Sequence, residues 1–271
     1  MLKERVITAV VLLLVFTGLL SFASSSVFAL VLAFVVAAAA WEWSRLSGVN
    51  HEHAQTGFAV VVSALTLILL NTPLVDSTVG WALLIGFLFW LSVLVQFYLK
   101  PVLASVTKVN LPWLLAGVLI LPIAALAMQH LRSYAVGASS WLLLYALAVV
   151  WVMDIGAYFS GRKYGKRKLA PLISPGKSWE GVYGGLLSAA LLFVLVVLFA
   201  SLPEGLAFKL FVATAFSAAV SVVGDLFESR LKRAAALKDS SQLLPGHGGV
   251  LDRLDGVIAA LPVFAFFWVW M

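Results

Sequence analysis

Runs of about 20 apolar residues, separated by short polar breaks, recur along the whole chain and leave it few ways to fold. Inside a bilayer every backbone N–H and C=O must be satisfied by the protein itself, so runs of this length read as membrane-crossing helices. A water-soluble globule is excluded by charge. Charged residues make up 11% of the chain and hydrophobic ones 63%, whereas a soluble domain carries roughly 25% charged residues. The expected fold class is all-α: a polytopic integral membrane protein of about nine transmembrane helices, near residues 6–22, 26–46, 54–75, 79–98, 111–128, 138–159, 179–200, 206–228 and 249–271. The first span follows Met1-Leu2-Lys3-Glu4-Arg5 like the opening of a signal peptide, but no small-residue cleavage site precedes the second span, so it reads as a retained helix.

Lysines and arginines set the orientation, because they concentrate in cytoplasmic loops. The stretch 160–178 holds Arg162, Lys163, Lys166, Arg167, Lys168 and Lys177 with no acid, and the connector two spans later holds Arg230, Lys232, Arg233 and Lys238. Counting back puts Lys100, Lys108, Arg45, Lys3 and Arg5 on the same side, while the opposite breaks carry only Arg132. The amino terminus is therefore expected in the cytoplasm and the carboxyl terminus outside. The net charge of +6 is read as basic loops against anionic lipid, with no nucleic-acid partner. The absence of cysteine excludes disulfides and thiolate chemistry.

Charge is shared unequally. Residues 1–150 hold six of the eighteen Lys and Arg and four of the twelve Asp and Glu. The chain is accordingly read as a scaffold of about five helices at 1–137 and a catalytic domain of about four helices, with two basic cytoplasmic loops, at 138–271. Three constellations carry the chemistry. In the first, Asp154 is followed by the small residues Gly156, Ala157, Ser160 and Gly161, so a polar side chain could line a cavity where helices approach closely. Taken alone, it also reads as an interfacial acid. The second is Ser174-Pro175-Gly176-Lys177-Ser178-Trp179-Glu180-Gly181. A P-loop would need glycine where Pro171 stands, so Gly-Lys-Ser here is instead a helix start, with Ser178 as its cap and Lys177 at the positive end where phosphates bind.

The third runs from Asp225 to Asp255. Charged side chains at membrane depth cost roughly 2.5–3.5 kcal/mol on insertion scales and so mark function. Asp252 and Asp255 are spaced to share one helix face, and Asp225 could meet them from a neighbouring helix. Three carboxylates beside the basic residues Lys232, Arg233, Lys238 and Arg253 suit a divalent cation holding phosphates. Glycines around His247, including Gly248 and Gly249, could turn backbone N–H groups toward an anion.

Ser229-Arg230-Leu231-Lys232-Arg233, then Lys238-Asp239, then Pro245-Gly246-His247-Gly248-Gly249-Val250-Leu251-Asp252-Arg253-Leu254-Asp255 resembles the signature of the phosphatidate cytidylyltransferase (CDP-diacylglycerol synthase) family, and the segments at 154–165 and 174–181 resemble its upstream motifs. The resemblance covers about residues 150–271. It implies a nucleotidyltransferase of phospholipid biosynthesis in the inner membrane of a bacterium, a homodimer with its active site toward the cytoplasm, joining CTP to phosphatidic acid. It also implies Mg²⁺ and a second cation, K⁺, in a paired site, with Asp225, Asp252 and Asp255 as metal carboxylates. Lys232, Arg233 and His247 then act in the catalytic set. Asp154, Lys177, Ser178, Ser229, Lys238, Asp239, Gly248, Gly249 and Arg253 contact substrate. The rival readings are an ion-coupled transporter, which should show matching broken helices in both halves, a CDP-alcohol phosphotransferase, whose acid spacing is missing here, and a non-catalytic membrane scaffold.

Overall fold

A computed structural model describes residues 16–99, 108–133, 141–200, 202, 205–244, 246 and 248–271. Its helices are α1 (Ser25–Leu46), α2 (Glu52–Asn71), α3 (Asp76–Leu99), α4 (Leu111–Ser133), α5 (Trp141–Tyr164), α6 (Trp179–Phe199), α7 (Leu206–Ala234) and α8 (Leu251–Trp270). Among the described residues these eight are long and apolar enough to cross a membrane. The chain is an all-α polytopic membrane protein. Each helix falls within a few residues of an expected span, save that the first span lies mostly outside the described residues, where only 16–22 are seen, as helix.

Two helices run further than their apolar runs. The run at 138–159 continues as helix to Tyr164, and that at 206–228 continues to Ala234. Asp154 and Asp225 therefore stand inside helices rather than at their ends. Apolar content records only the membrane-buried part of a helix, and Ser, Gly, Arg and Lys do not stop one.

The expected loop at 160–178 also holds a short antiparallel hairpin, β1 (Lys168–Ala170) and β2 (Ser174–Ser178), with Lys168 opposite Ser178. Its base is fastened by Glu180, whose carboxylate accepts the backbone N–H groups of Lys166 and Arg167 at 3.1 Å each and Arg167 Nε at 3.2 Å. The hydrogen bond to Glu180 holds the Arg167 guanidinium above its ordinary pKa. Ser178 then caps α6, accepting Gly181 N–H at 3.2 Å. This is the cap expected from its position before Trp179.

The chain forms two compact units, each gathered from separate stretches. The first comprises 1–74, 104–142 and 231–254. In it α1, α2 and α4 pack on one another. Trp43 is buried at 1% exposure where α4 offers Gly117, and its indole N–H donates to Trp113 O at 2.7 Å. A Cβ at 117 would lie 2.5 Å from that indole, so glycine is required there.

The second unit comprises 75–103, 143–230 and 255–271. Its centre is α8, which is buried throughout from Val257 to Ala265, Pro262 included. Phe87 of α3 stacks on Phe266 at 4.9 Å, Phe216 of α7 on Phe267 at 4.4 Å, and Tyr145 of α5 approaches Phe264 at 5.9 Å. Small residues let α5 and α6 touch backbone to backbone: a Cβ at Gly156 would be 2.8 Å from Gly184 O, and one at Gly184 would be 3.1 Å from Gly156 O. Without a hydrophobic drive between helices in lipid, such close contact is what binds them. It also fixes the frame in which Asp154 stands.

Candidate active site

In the second unit a cavity of about 410 Å³ is lined by Met153, Asp154, Ala157, Tyr158, Gly161, Arg162, Gly176, Lys177, Ser178, Gly181, Val182, Val222 and Asp225. Four elements build it. Helix α5 supplies Asp154 and, a turn later, Tyr158; β2 supplies Lys177; the capped start of α6 supplies Gly181; α7 supplies Asp225. Lys177 forms an ion pair with Asp225, both side chains a little over a quarter exposed. Ser229, one turn beyond, donates to Asp225 Oδ1 at 3.5 Å. Asp255 lies within electrostatic reach of Asp225, Lys177 and Asp154. It enters this unit beneath Gly224, where a Cβ would fall on the Asp255 carbonyl and 2.7 Å from the Ala259 side chain. Glycine at 224 thus brings α7 against α8 beside the acids.

Among the described residues, the ammonium facing Asp154, Asp225 and Asp255 is that of Lys177. Acid exceeds base, and the donors are hard carboxylate oxygens. That chemistry fits a hard divalent cation such as Mg²⁺, which binds through few carboxylates and keeps oxygen ligands for phosphate. Among the described residues no three His, Cys, Asp or Glu side chains are gathered closely enough to hold a metal ion.

The first unit holds a second polar group at the start of α8. Asp252 Oδ1 pairs with Lys232 Nζ at 2.6 Å, with side chains 9% and 13% exposed. Asp252 Oδ2 accepts the backbone N–H of Gly249 at 2.8 Å, that of Ser240 at 3.0 Å, and the Ser240 hydroxyl at 3.0 Å. A carboxylate accepting N–H groups at a helix start is favoured both by those bonds and by the positive helix end. The glycines serve this geometry. Gly248 has φ of 82°, and Leu244 N–H donates to Gly248 O at 2.9 Å to close the turn. The anion served by Gly249 N–H is Asp252 itself.

Arg233 Nη1 donates to Leu237 O at 3.4 Å at the end of α7. Lys238, Asp239 and Arg253 are exposed, and His247 lies outside the described residues. Sequence reasoning passed over Glu42, Ser240 and Ser241. Glu42 sits in α1, in the half read as scaffold, and its carboxylate accepts Val250 N–H at 2.9 Å and Leu251 N–H at 2.6 Å. Only its charge within an apolar run could have signalled it.

Gly249 gives a direct check on this second group. A Cβ there would fall on Ser240 Oγ and come within 2.6 Å of Glu42 Oε1, both buried. Gly249→Ala is expected to lower turnover by about 10–100-fold through displaced supports of Asp252, measured as initial rate on purified protein.

Comparison with known proteins shows the family of this chain. The model of the cytidylyltransferase family matches residues 3–271. The phosphatidate cytidylyltransferase of Pseudomonas aeruginosa is 41% identical over 98% of this chain and 96% of its own length. That of Haemophilus influenzae is 34% identical over 99% of each chain, and that of Brucella suis 36% identical over 98% of this chain and 93% of its own.

Proposed function

Because this chain belongs to the cytidylyltransferase family, we propose that it joins CTP to phosphatidic acid, releasing pyrophosphate and forming CDP-diacylglycerol. It is an enzyme, a nucleotidyltransferase of phospholipid biosynthesis. The observation that carries the reading is the cavity holding Asp154, Lys177 and Asp225 within an apolar helical unit. A water-soluble triphosphate and a lipid phosphate both need such a polar recess at the edge of a bilayer.

An oxygen of the lipid phosphate bonds to the α-phosphorus of CTP while the bond from that phosphorus to the bridging oxygen of pyrophosphate breaks. The attacking group is already an anion, so no strong general base is needed, and His247 is a phosphate or metal-water contact rather than a proton carrier. The chief obstacle is repulsion between two polyanions. Lys177, at the amino end of α6, meets phosphate oxygens with its ammonium, and the N–H groups of that helix start add partial positive charge. By the family resemblance, Lys232, Arg233 and Lys238 offset the charge of the triphosphate and of the leaving pyrophosphate, and Arg253 contacts substrate. By the family resemblance, Asp225 and Asp252 would hold Mg²⁺ and Asp255 the second cation, K⁺. When bound, Mg²⁺ supplies charge neutralisation on the phosphate oxygens and a template for in-line transfer. Asp154 and Ser229 contact substrate, and Ser229 also donates to Asp225.

The cavity faces the cytoplasm of a bacterial inner membrane in this reading. Support comes from the basic residues of 160–178 and 230–238, which follow the distribution of cytoplasmic loops. The acyl chains remain in the bilayer, and the resemblance implies a homodimer. The test is product formation. Purified protein in detergent, given CTP, phosphatidic acid and Mg²⁺, should release pyrophosphate and form CDP-diacylglycerol, and EDTA should stop both. Activity only with CDP-diacylglycerol and an alcohol, releasing CMP, would replace this reading with a phosphotransferase.

A further inference from the structure

Glu42 is fully buried in α1, and each of its carboxylate oxygens accepts two hydrogen bonds. Oε1 takes Val250 N–H and the Ser241 hydroxyl, and Oε2 takes Leu251 N–H and the Ser240 hydroxyl at 3.0 Å. Two of these donors are the orphan amides at the start of α8, so Glu42 is the cap of that helix, supplied from a residue some 200 positions earlier. The other two belong to the connector that leads into α8. Ser240 is the link onward. Its hydroxyl lies 3.0 Å from Glu42 Oε2 and 3.0 Å from Asp252 Oδ2, and its backbone N–H also donates to Asp252 Oδ2. One hydroxyl proton serves two carboxylates, so the positions of the acids are coupled through it.

We propose that Glu42 is a positioning residue for Asp252, setting which carboxylate oxygen that acid presents. Glu42 anchors Ser240 and the first turn of α8; Ser240 and Gly249 then engage Oδ2; Oδ1 is left toward Lys232. The inference rests on reading Asp252 as a functional acid. It assigns part of the catalytic geometry to the amino-terminal half of the chain, which composition alone marks as scaffold. Burial supports a committed role: a carboxylate at 0% exposure persists only where its bonds are satisfied, and here all four donors lie at or beside the Asp252 turn.

Glu42→Gln keeps the size of the side chain and turns one oxygen into an amide donor facing two donors. The full-length protein is purified, and kcat, KM for CTP and the Mg²⁺ concentration for half-maximal rate are measured. The Mg²⁺ dependence of the thermal midpoint, without substrates, is read in parallel. The expected result is a kcat lower by about 10–100-fold, a Mg²⁺ midpoint raised by a similar order in both assays, and little change in KM for CTP. A variant that keeps the wild-type Mg²⁺ midpoint in both assays, whether or not its thermal midpoint falls, overturns the proposal and leaves Glu42 a purely structural cap. Should Glu42→Gln not fold, Ser240→Ala decides: it removes the link while sparing the bonds from Val250 and Leu251 to Glu42. A raised Mg²⁺ midpoint supports the proposal, and an unchanged one refutes it. Asp252→Asn with wild-type turnover would instead remove the premise, independently of either result.

Discussion

Asp252→Asn is expected to lower kcat by on the order of 10³-fold or more, equivalent to at least about 4 kcal/mol of transition-state stabilisation. Two effects act together. The negative charge that offsets Lys232 and would hold a cation is lost. An amide in place of the carboxylate cannot accept on both sides: with its oxygen toward Gly249 and Ser240, its NH₂ faces the Lys232 ammonium, and the reverse orientation sets NH₂ against two backbone N–H groups. Either way a donor meets a donor in a nearly buried setting, a loss of about 1–3 kcal/mol for each polar group left unsatisfied. The check is initial-rate kinetics on protein whose thermal midpoint is recorded alongside. A membrane scaffold or a transporter would show no CTP-dependent turnover for the change to abolish.

Lys177→Ala is expected to lower kcat/KM for CTP by about 10²–10³-fold, the range found when one preorganised donor to developing charge is removed. Lys177 is an ammonium placed among Asp154, Asp225 and Asp255, so its removal takes away a phosphate contact and leaves the acids less compensated. Its ion pair is part exposed, so stability should change little. Lys177→Arg should recover part of the rate, because charge is kept while the wide guanidinium fits a point-charge site poorly. Kinetics of both variants at saturating phosphatidic acid make the check. Equal rates for wild type and Lys177→Ala would leave Lys177 as a topology determinant only.

The membrane architecture was legible because a 20-residue apolar run has one stable outcome in lipid. Helix ends were less so. Helix α7 runs through Glu228, Arg230, Lys232 and Arg233 to Ala234, and hydropathy falls where the helix leaves the apolar layer although its hydrogen bonding continues. The hairpin was invisible for another reason: with three and five residues its strands are too short for an alternating pattern, and they are held by Glu180 from the following helix. Asp154, Lys177 and Asp225 stood out because charge beside apolar runs is costly, and they do line one cavity. Glu42 carried the same signal but went unread. Its partners lie 198–209 residues away, and no local spacing reports a contact between helices so distant in the chain.

Labelled phosphorus gives the most direct measurement. Purified protein is incubated with phosphatidic acid, Mg²⁺ and CTP carrying the label on either the α- or the γ-phosphorus, and the lipid is extracted and counted. A cytidylyltransferase moves α label into lipid and leaves γ label in aqueous pyrophosphate. Label reaching lipid from the γ position would mean phosphoryl rather than nucleotidyl transfer, and no lipid label from either position, with folded protein, would contradict the assigned reaction.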